Sequence, residues 1–190
     1  MLLTGGRSRR MGRDKAAIPL AHGGASSTLA RRTADLLRSI AEPVLEVGPG
    51  YSGLPAVRED PPGSGPLAAT AAGWSALAEL GWKDPVLVVA TDLPLLTSGL
   101  LRWLADRAGD LSLVPVAADR VQPLCARYRW SDLAEAAKLV EAGRRSMADL
   151  LSVIDAVLIP EEEWVGPAGD ARVLQDADTP ADLRRLLDRT

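Results

Sequence analysis

Val86–Pro94 reads VLVVATDLP. Five apolar residues run without a polar interruption, then give way to Thr91, Asp92 and Pro94. A strand with one wet face alternates polar and apolar side chains, whereas a continuous run suits a strand covered on both faces. The stretch therefore predicts a buried central strand with Asp92 at its carboxyl end. Similar short runs occur in MLLT (Met1–Thr4), LEV (Leu45–Val47) and LSLVPV (Leu111–Val116). Between them lie segments with helical spacing. Thr28–Ile40 places Leu29, Ala30, Thr33, Leu36, Leu37 and Ile40 on one face. Pro66–Leu80 opens with Pro, which suits a first helical position. Ser131–Gly143 offers a capping Ser and a terminal Gly. Thr179–Arg189 pairs a capping Thr with Pro180, and Asp182 falls in the first turn, near the positive end of the helix dipole. The segment QPLCARYR (Gln122–Arg129) alternates from Leu124 and reads as an antiparallel or edge strand, with Gln122 and Arg127 candidates to face a pocket. The loops PPGSGP (Pro61–Pro66) and GPAGD (Gly166–Asp170) are too short to link domains. Strand and helix alternation predicts an α/β fold, a mostly parallel central sheet with helices on both faces, in a single domain spanning 1–190.

Composition narrows the chemistry. With 190 residues and 47% hydrophobic content the chain can bury a core. Phe is absent, so Leu, Val, Ala and five Trp must fill it. A formal charge of −3 does not favour nucleic acid, so an anionic ligand needs a local basic cluster. One cysteine, Cys125, and one histidine, His22, leave neither an internal disulfide nor a Cys/His zinc site. Cys125 reads as a small core residue, and His22, in a glycine-rich loop, has no assigned role. The apolar runs fall far short of the ~20 residues of a membrane span. Gly and Arg interrupt the first apolar residues, so no signal peptide is read, and a cytoplasmic location is expected.

In open α/β sheets ligands gather at the carboxyl ends of the strands. There the sequence puts LTGGRSRRMGRDK, Leu3–Lys15, with three glycines and five basic residues. Gly5 and Gly6 permit positive φ and close backbone approach, and successive N–H groups of such a loop can surround phosphate oxygens. Arg7, Arg9, Arg10, Arg13 and Lys15 supply charge, some of it solvated. The stretch is neither a Walker A loop nor a GxGxxG fingerprint. Asp92 is a natural position for Mg²⁺, which takes one or two carboxylates plus phosphates and waters, or it caps the turn before Pro94. Asp60, ahead of a Pro/Gly loop, either meets a ribose or base or starts the turn. Asp176 and Asp178 are two apart, so on an extended chain they share a side and can hold a second substrate or a cation.

These residues together resemble the molybdenum cofactor guanylyltransferase family. TGGRSRRMGRDK is similar to its LAGGxSxRMGxDK signature. Asp60 before a GPL loop, TDLP around Asp92, QPL at Gln122, AGRRSM at Ala142–Met147 and DADTPADL near the carboxyl end follow in the family's order. The resemblance implies a Rossmann-like nucleotidyltransferase fold and transfer of GMP from GTP to the terminal phosphate of the molybdenum–molybdopterin cofactor, with pyrophosphate released. It implies that Leu3, Thr4, Gly5 and Gly6 lie against the nucleotide, and that Lys15 and Arg10 serve its phosphates. Asp92 binds Mg²⁺, Asp60 contacts the nucleoside, and Asp176, Asp178 and Gln122 face the second substrate. Implied partners are GTP, the molybdenum–molybdopterin substrate, and other cofactor-biosynthesis proteins or molybdoenzyme chaperones; nucleic acid and membrane are not expected. Three positions depart from the family pattern: Gly48 stands where Asn is common, and Asp176 and Asp178 form a pair that is often Asn. The rival readings are a cytidylyl- or sugar-phosphate nucleotidyltransferase and a non-catalytic nucleotide-binding relative. Met11 within the signature and the DTP motif favour the guanylyl enzyme.

Overall fold

The structure is a computed structural model that describes residues 1–5, 15–22 and 25–188, with backbone only at 15, 19–22, 25 and 26. Ten strands and seven α-helices follow along these residues. They run β1 (Leu2–Leu3), β2 (Pro19–His22), β3 (Ala25–Thr28), α1 (Leu29–Arg38), β4 (Glu46–Val47), β5 (Ala56–Val57) and α2 (Pro66–Glu79). Next come β6 (Val86–Ala90), α3 (Ser98–Asp106), β7 (Ser112–Ala117), β8 (Arg120–Val121), β9 (Cys125–Tyr128) and α4 (Trp130–Glu141). The chain closes with α5 (Met147–Leu151), β10 (Ala156–Ile159), α6 (Glu161–Ala168) and α7 (Pro180–Leu187). The main sheet has the order β10-β7-β9-β6-β1-β4-β5, with β8 pairing β7 off this path; β2 and β3 form a separate hairpin. Along that path the neighbours are parallel except at β9, which runs against both β7 and β6.

The unbroken apolar run of β6 is explained by two cores. Leu87 and Val89 join Leu2, Leu113 and Cys125 beneath α1, α3 and α6, where Leu37, Leu101, Leu104 and Trp164 are buried. Val86 and Val88 join Met1, Leu3, Val114 and Tyr128 beneath α2, α4 and α5. Successive strand residues point to opposite faces, so a sheet clad on both sides needs an apolar residue at every position. A third cluster, Leu29, Ala177, Leu183 and Leu186, docks α7 onto the start of α1. Of the five tryptophans, only Trp164 is fully buried, its indole N–H donating to the Val116 carbonyl at 3.0 Å. Trp74 and Trp130 meet at 5.4 Å between ring centroids. Trp82 and Trp103 are also only partly buried.

Three local expectations are corrected. Ser131 does not cap α4, which begins one residue earlier with Arg129 at the cap position and no side-chain cap bond. The first-turn Asp132 instead binds Ser112 Oγ (2.6 Å) and the Arg129 guanidinium (2.6 Å). The segment GPAGD is not wholly loop: Gly166, Pro167 and Ala168 finish α6, which ends at a left-handed Gly169. Strand β9 runs antiparallel to both neighbours, one of the two readings of its alternation, but lies inside the sheet rather than at its edge, and Arg127 does not face a pocket. Its guanidinium donates to the carbonyls of Ala105, Arg107 and Gly109, tying the end of α3 and the turn beyond it to the sheet. A buried charge is tolerated where carbonyls satisfy it.

Candidate active site

The carboxyl ends of β4, β1 and β6 lie side by side, because β1 pairs in parallel with both of its neighbours. Leu3 ends β1, its side chain in the core and its carbonyl accepting the Thr91 N–H at 3.3 Å. Only its main chain reaches the crevice. Thr4 is buried; its N–H donates to the Val47 carbonyl (3.0 Å) and its hydroxyl to Glu46 Oε1 (2.5 Å). Gly5 is exposed and stays out of the left-handed region. A Cβ built there would lie 3.7 Å from Glu59 Oε1, an ordinary contact. Positive φ is therefore not what Gly5 supplies. Gly6 and Arg10, with Arg7, Arg9 and Arg13, lie outside the described residues. Lys15 opens a 3-10 turn, Lys15–Ala17, and its side chain is likewise outside them.

Gly48 is where glycine is required. It follows β4 at φ +152°, and a Cβ there would stand 2.0 Å from Thr4 Oγ1 and 2.9 Å from the Gly5 nitrogen. The β1 and β4 ends can approach this closely only without a side chain between them. Asp60 follows β5 and is exposed. Its neighbour Glu59 is buried, accepts the Gly63 N–H at 2.8 Å and so holds the loop beneath Gly5. Sequence reading passed over Glu59 because Asp60 carried the resemblance.

Asp92 follows Thr91 one step beyond β6 and is half-buried. Its carbonyl accepts the Ala177 N–H at 2.9 Å, which brings the QDAD segment to the end of β6. Ala177 is buried while Asp176 and Asp178 are exposed, so the two aspartates do share a side. Cys125 lies behind: burial, then the nearby Asp92 charge, pushes its thiol up to about 12. A thiol so raised is a core group, not a nucleophile. Gln122 is half-buried in the turn into β9, donating its N–H to Pro115 and accepting from Cys125 N–H at 3.1 Å. The motif AGRRSM also comes to this side: the Arg145 carbonyl accepts the Leu67 N–H at the start of α2.

The structure thus gathers Leu3–Gly5, Asp92 and the Asp176–Asp178 segment along one sheet edge. Among the described residues no cluster of three or more His, Cys, Asp or Glu side chains is arranged to cage a metal. The half-buried Asp92 fits a divalent cation that brings phosphate and water ligands with it. The apolar cavity of about 270 Å³ lined by Met1, Leu37, Ile40, Trp82 and Leu87 lies at the opposite, amino edge of the sheet and holds none of these residues. No helix among the described residues is long and apolar enough to cross a membrane.

The residue that sequence reading missed outright is Glu46. It is fully buried in β4 yet carries a carboxylate. Oε1 accepts from Thr4 Oγ1 (2.5 Å), Gly50 N–H (2.7 Å) and Tyr51 N–H (3.0 Å), and Oε2 from Ser52 N–H (2.8 Å) and Ser52 Oγ (2.5 Å). Burial pushes this carboxyl up, but the Ser52 and Thr4 hydroxyls and the Ser52 and Tyr51 amides outweigh it and hold the group below the usual Glu range. The visible signal was a single acid inside the apolar run LEV.

The MobA-like NTP transferase domain matches residues 1–156. A probable molybdenum cofactor guanylyltransferase of Mycobacterium tuberculosis H37Rv is 40% identical over 167 residues, covering 84% of this chain and 81% of the relative. The crystal structure of molybdopterin-guanine dinucleotide biosynthesis protein A from Archaeoglobus fulgidus superposes with a TM-score of 0.77 at 22% identity, over 100% of this chain and 98% of that one. The M. tuberculosis H37Rv protein Rv0371c, solved in complex with manganese, shares the fold at a TM-score of 0.59 and 20% identity, over 100% and 97% of the two chains.

Proposed function

We propose the reaction of this site from one premise: the chain belongs to the MobA-like NTP transferase domain family, and relatives within it at 40% identity are named for molybdenum cofactor guanylyl transfer. The chain transfers a guanylyl group in the biosynthesis of that cofactor. GTP is the donor, and the terminal phosphate of molybdenum-bound molybdopterin is the acceptor. An acceptor oxygen attacks the α-phosphorus; the new P–O bond forms as the bond to the bridging β-oxygen breaks, and pyrophosphate leaves with the electron pair. A phosphate monoester is largely dianionic at neutral pH, so no protein base has to remove a proton. The work left to the protein is positioning and charge neutralisation.

In this reading the nucleotide crosses β1. Its nucleoside points toward β4, β5 and Asp60, and its triphosphate toward β6. The main chain of Leu3, Thr4 and Gly5 backs the nucleotide, and Gly6, Arg10 and Lys15 serve the phosphates. Asp92 would hold a divalent cation, assigned as Mg²⁺, whose positive charge would offset that of the phosphates. Support for a divalent ion comes from the manganese-bound neighbour of the same fold. Asp176, Asp178 and Gln122 face the acceptor. Two carboxylates beside a phosphorylated substrate repel it unless a cation lies between, and Asp92 beside them would let one bound cation offset charge for both substrates. The protein acts as one domain, in the cytoplasm, and passes its product to other cofactor-biosynthesis proteins or molybdoenzyme chaperones.

The single observation that carries the reading is the 2.9 Å bond from Ala177 N–H to the Asp92 carbonyl. It brings the Asp176–Asp178 segment beside Asp92, which supports assigning the three aspartates to one site. The test is pyrophosphate release by purified protein given molybdenum–molybdopterin, Mg²⁺ and either GTP or CTP. Release with GTP and little with CTP is expected. Preference for CTP would make it a cytidylyltransferase, and silence with both would make it a non-catalytic relative.

A further inference from the structure

We infer that Glu46 is a positioning residue for GTP, locking the loop Gly48–Ser52 to the nucleotide end of β1. The inference rests on the guanylyl-transfer reading and adds a residue that the family signature does not contain. The geometry is closed on itself. Glu46 sits in β4 with no exposed surface, and its two oxygens take five donors. Three are backbone amides of successive residues, Gly50, Tyr51 and Ser52. One is the hydroxyl of Thr4, the residue that directly follows β1. A single carboxylate therefore fixes both walls of the crevice relative to each other. Gly48 makes the coupling tight. It packs so closely on Thr4 and Gly5 that any shift of the loop must move the main chain on which the nucleotide lies. Arg58 Nε adds an outer tie by donating to the Gly48 carbonyl at 3.2 Å.

A buried carboxylate is costly to desolvate and persists where donors converge on it. An apolar residue in β4 would fill the same space without that cost but would leave the amides of 50–52 and the Thr4 hydroxyl without their acceptor. The Glu46 side chain reaches no ligand itself. It acts through the loop, which borders the nucleoside side of the crevice. Gly48 brings no side chain to this end of the crevice. The shape of the 48–52 backbone, set by Glu46, takes over as the element that fits the base.

Glu46→Gln tests this. Two hydroxyl donors can turn to meet an amide, but N–H groups cannot. Whichever way the Gln amide is placed, its NH₂ faces at least one backbone N–H, at 50 and 51 or at 52. The expected result is a rise in KM for GTP of about tenfold, a fall in the GTP-over-CTP ratio of kcat/KM of similar size, and kcat at saturation within about threefold. Glu46→Asp, which keeps the charge, is expected to restore part of the ratio. Ser52→Ala removes one donor of the five and is expected to move the ratio in the same direction by a smaller factor; it decides the matter if Glu46→Gln fails to fold. A merely structural Glu46 would lower stability while leaving the nucleotide ratio unmoved in folded variants, and that result overturns the inference. Wild-type protein without GTP preference would instead overturn the guanylyl-transfer reading, so the two failures are distinct.

Discussion

Asp92 is tied through its main-chain carbonyl, which accepts the Ala177 N–H, so its carboxylate can be changed without dismantling the strand before it. We predict that Asp92→Ala lowers kcat/KM for GTP at least ~100-fold, about 2.7 kcal/mol of transition-state stabilisation, because the cation loses its protein ligand. Near-wild-type turnover in the folded variant would remove Asp92 from the site. Gly48 makes the opposite point. Any side chain there, Asn included, would set its Cβ 2.0 Å from Thr4 Oγ1 on a backbone at φ +152°. Gly48→Asn is therefore expected to cost more than about 2 kcal/mol in urea unfolding; unchanged stability would mean the β1 and β4 ends are not packed this way. At this scale the sequence was half legible. Asp92, Asp60 and the aspartate pair were visible from position and motif. Glu46 and Glu59 were not, because their importance lies in which backbone amides converge on them, and no spacing along the chain reports that.

Among the elements, α7 is the clearest lever. Thr179 accepts from the Asp182 N–H while the Asp182 carboxylate accepts from the Thr179 N–H at 3.0 Å, a reciprocal capping box. This box closes the helix directly after Asp178, while Leu183 and Leu186 pin it to Leu29 and Ala177. Thr179→Ala should cost about 1 kcal/mol and lower Tm by roughly 2–4 °C for a chain of this size. An unchanged Tm in calorimetry would show that α7 is not part of the cooperative unit. The Thr-Pro start and the first-turn Asp182 made this helix readable from sequence, as the double-faced run made β6 readable. Strand β9 was harder. Its alternation fitted an antiparallel or an edge strand alike, and Arg127 suggested a pocket, but three carbonyls around α3 take up its guanidinium. Two-residue strands such as β5 and β8 leave no periodicity to read, and Pro167 disguised the end of α6 as loop.

For the whole molecule, the crevice joins parts that are distant in sequence: the end of β1, the end of β6 and the segment before α7. A ligand that touches all three should bind the folded state alone and stabilise the chain as a unit. At a GTP concentration of about 100 times Kd, linkage gives roughly 2.7 kcal/mol. With roughly 2–4 °C per kcal/mol at this size, Tm should rise by about 5–10 °C when GTP and Mg²⁺ are added together. GTP with chelator should do less, because the triphosphate then faces Asp92 without a cation between them. Asp92→Asn should narrow the gap between the two conditions by removing both the metal ligand and the repulsion. A single sharp transition that moves with GTP and Mg²⁺ fits one cooperative domain spanning the crevice. Two transitions, of which only one moves, would show that the segment before α7 belongs to a separate unit and that Asp176 and Asp178 do not share a site with Asp92.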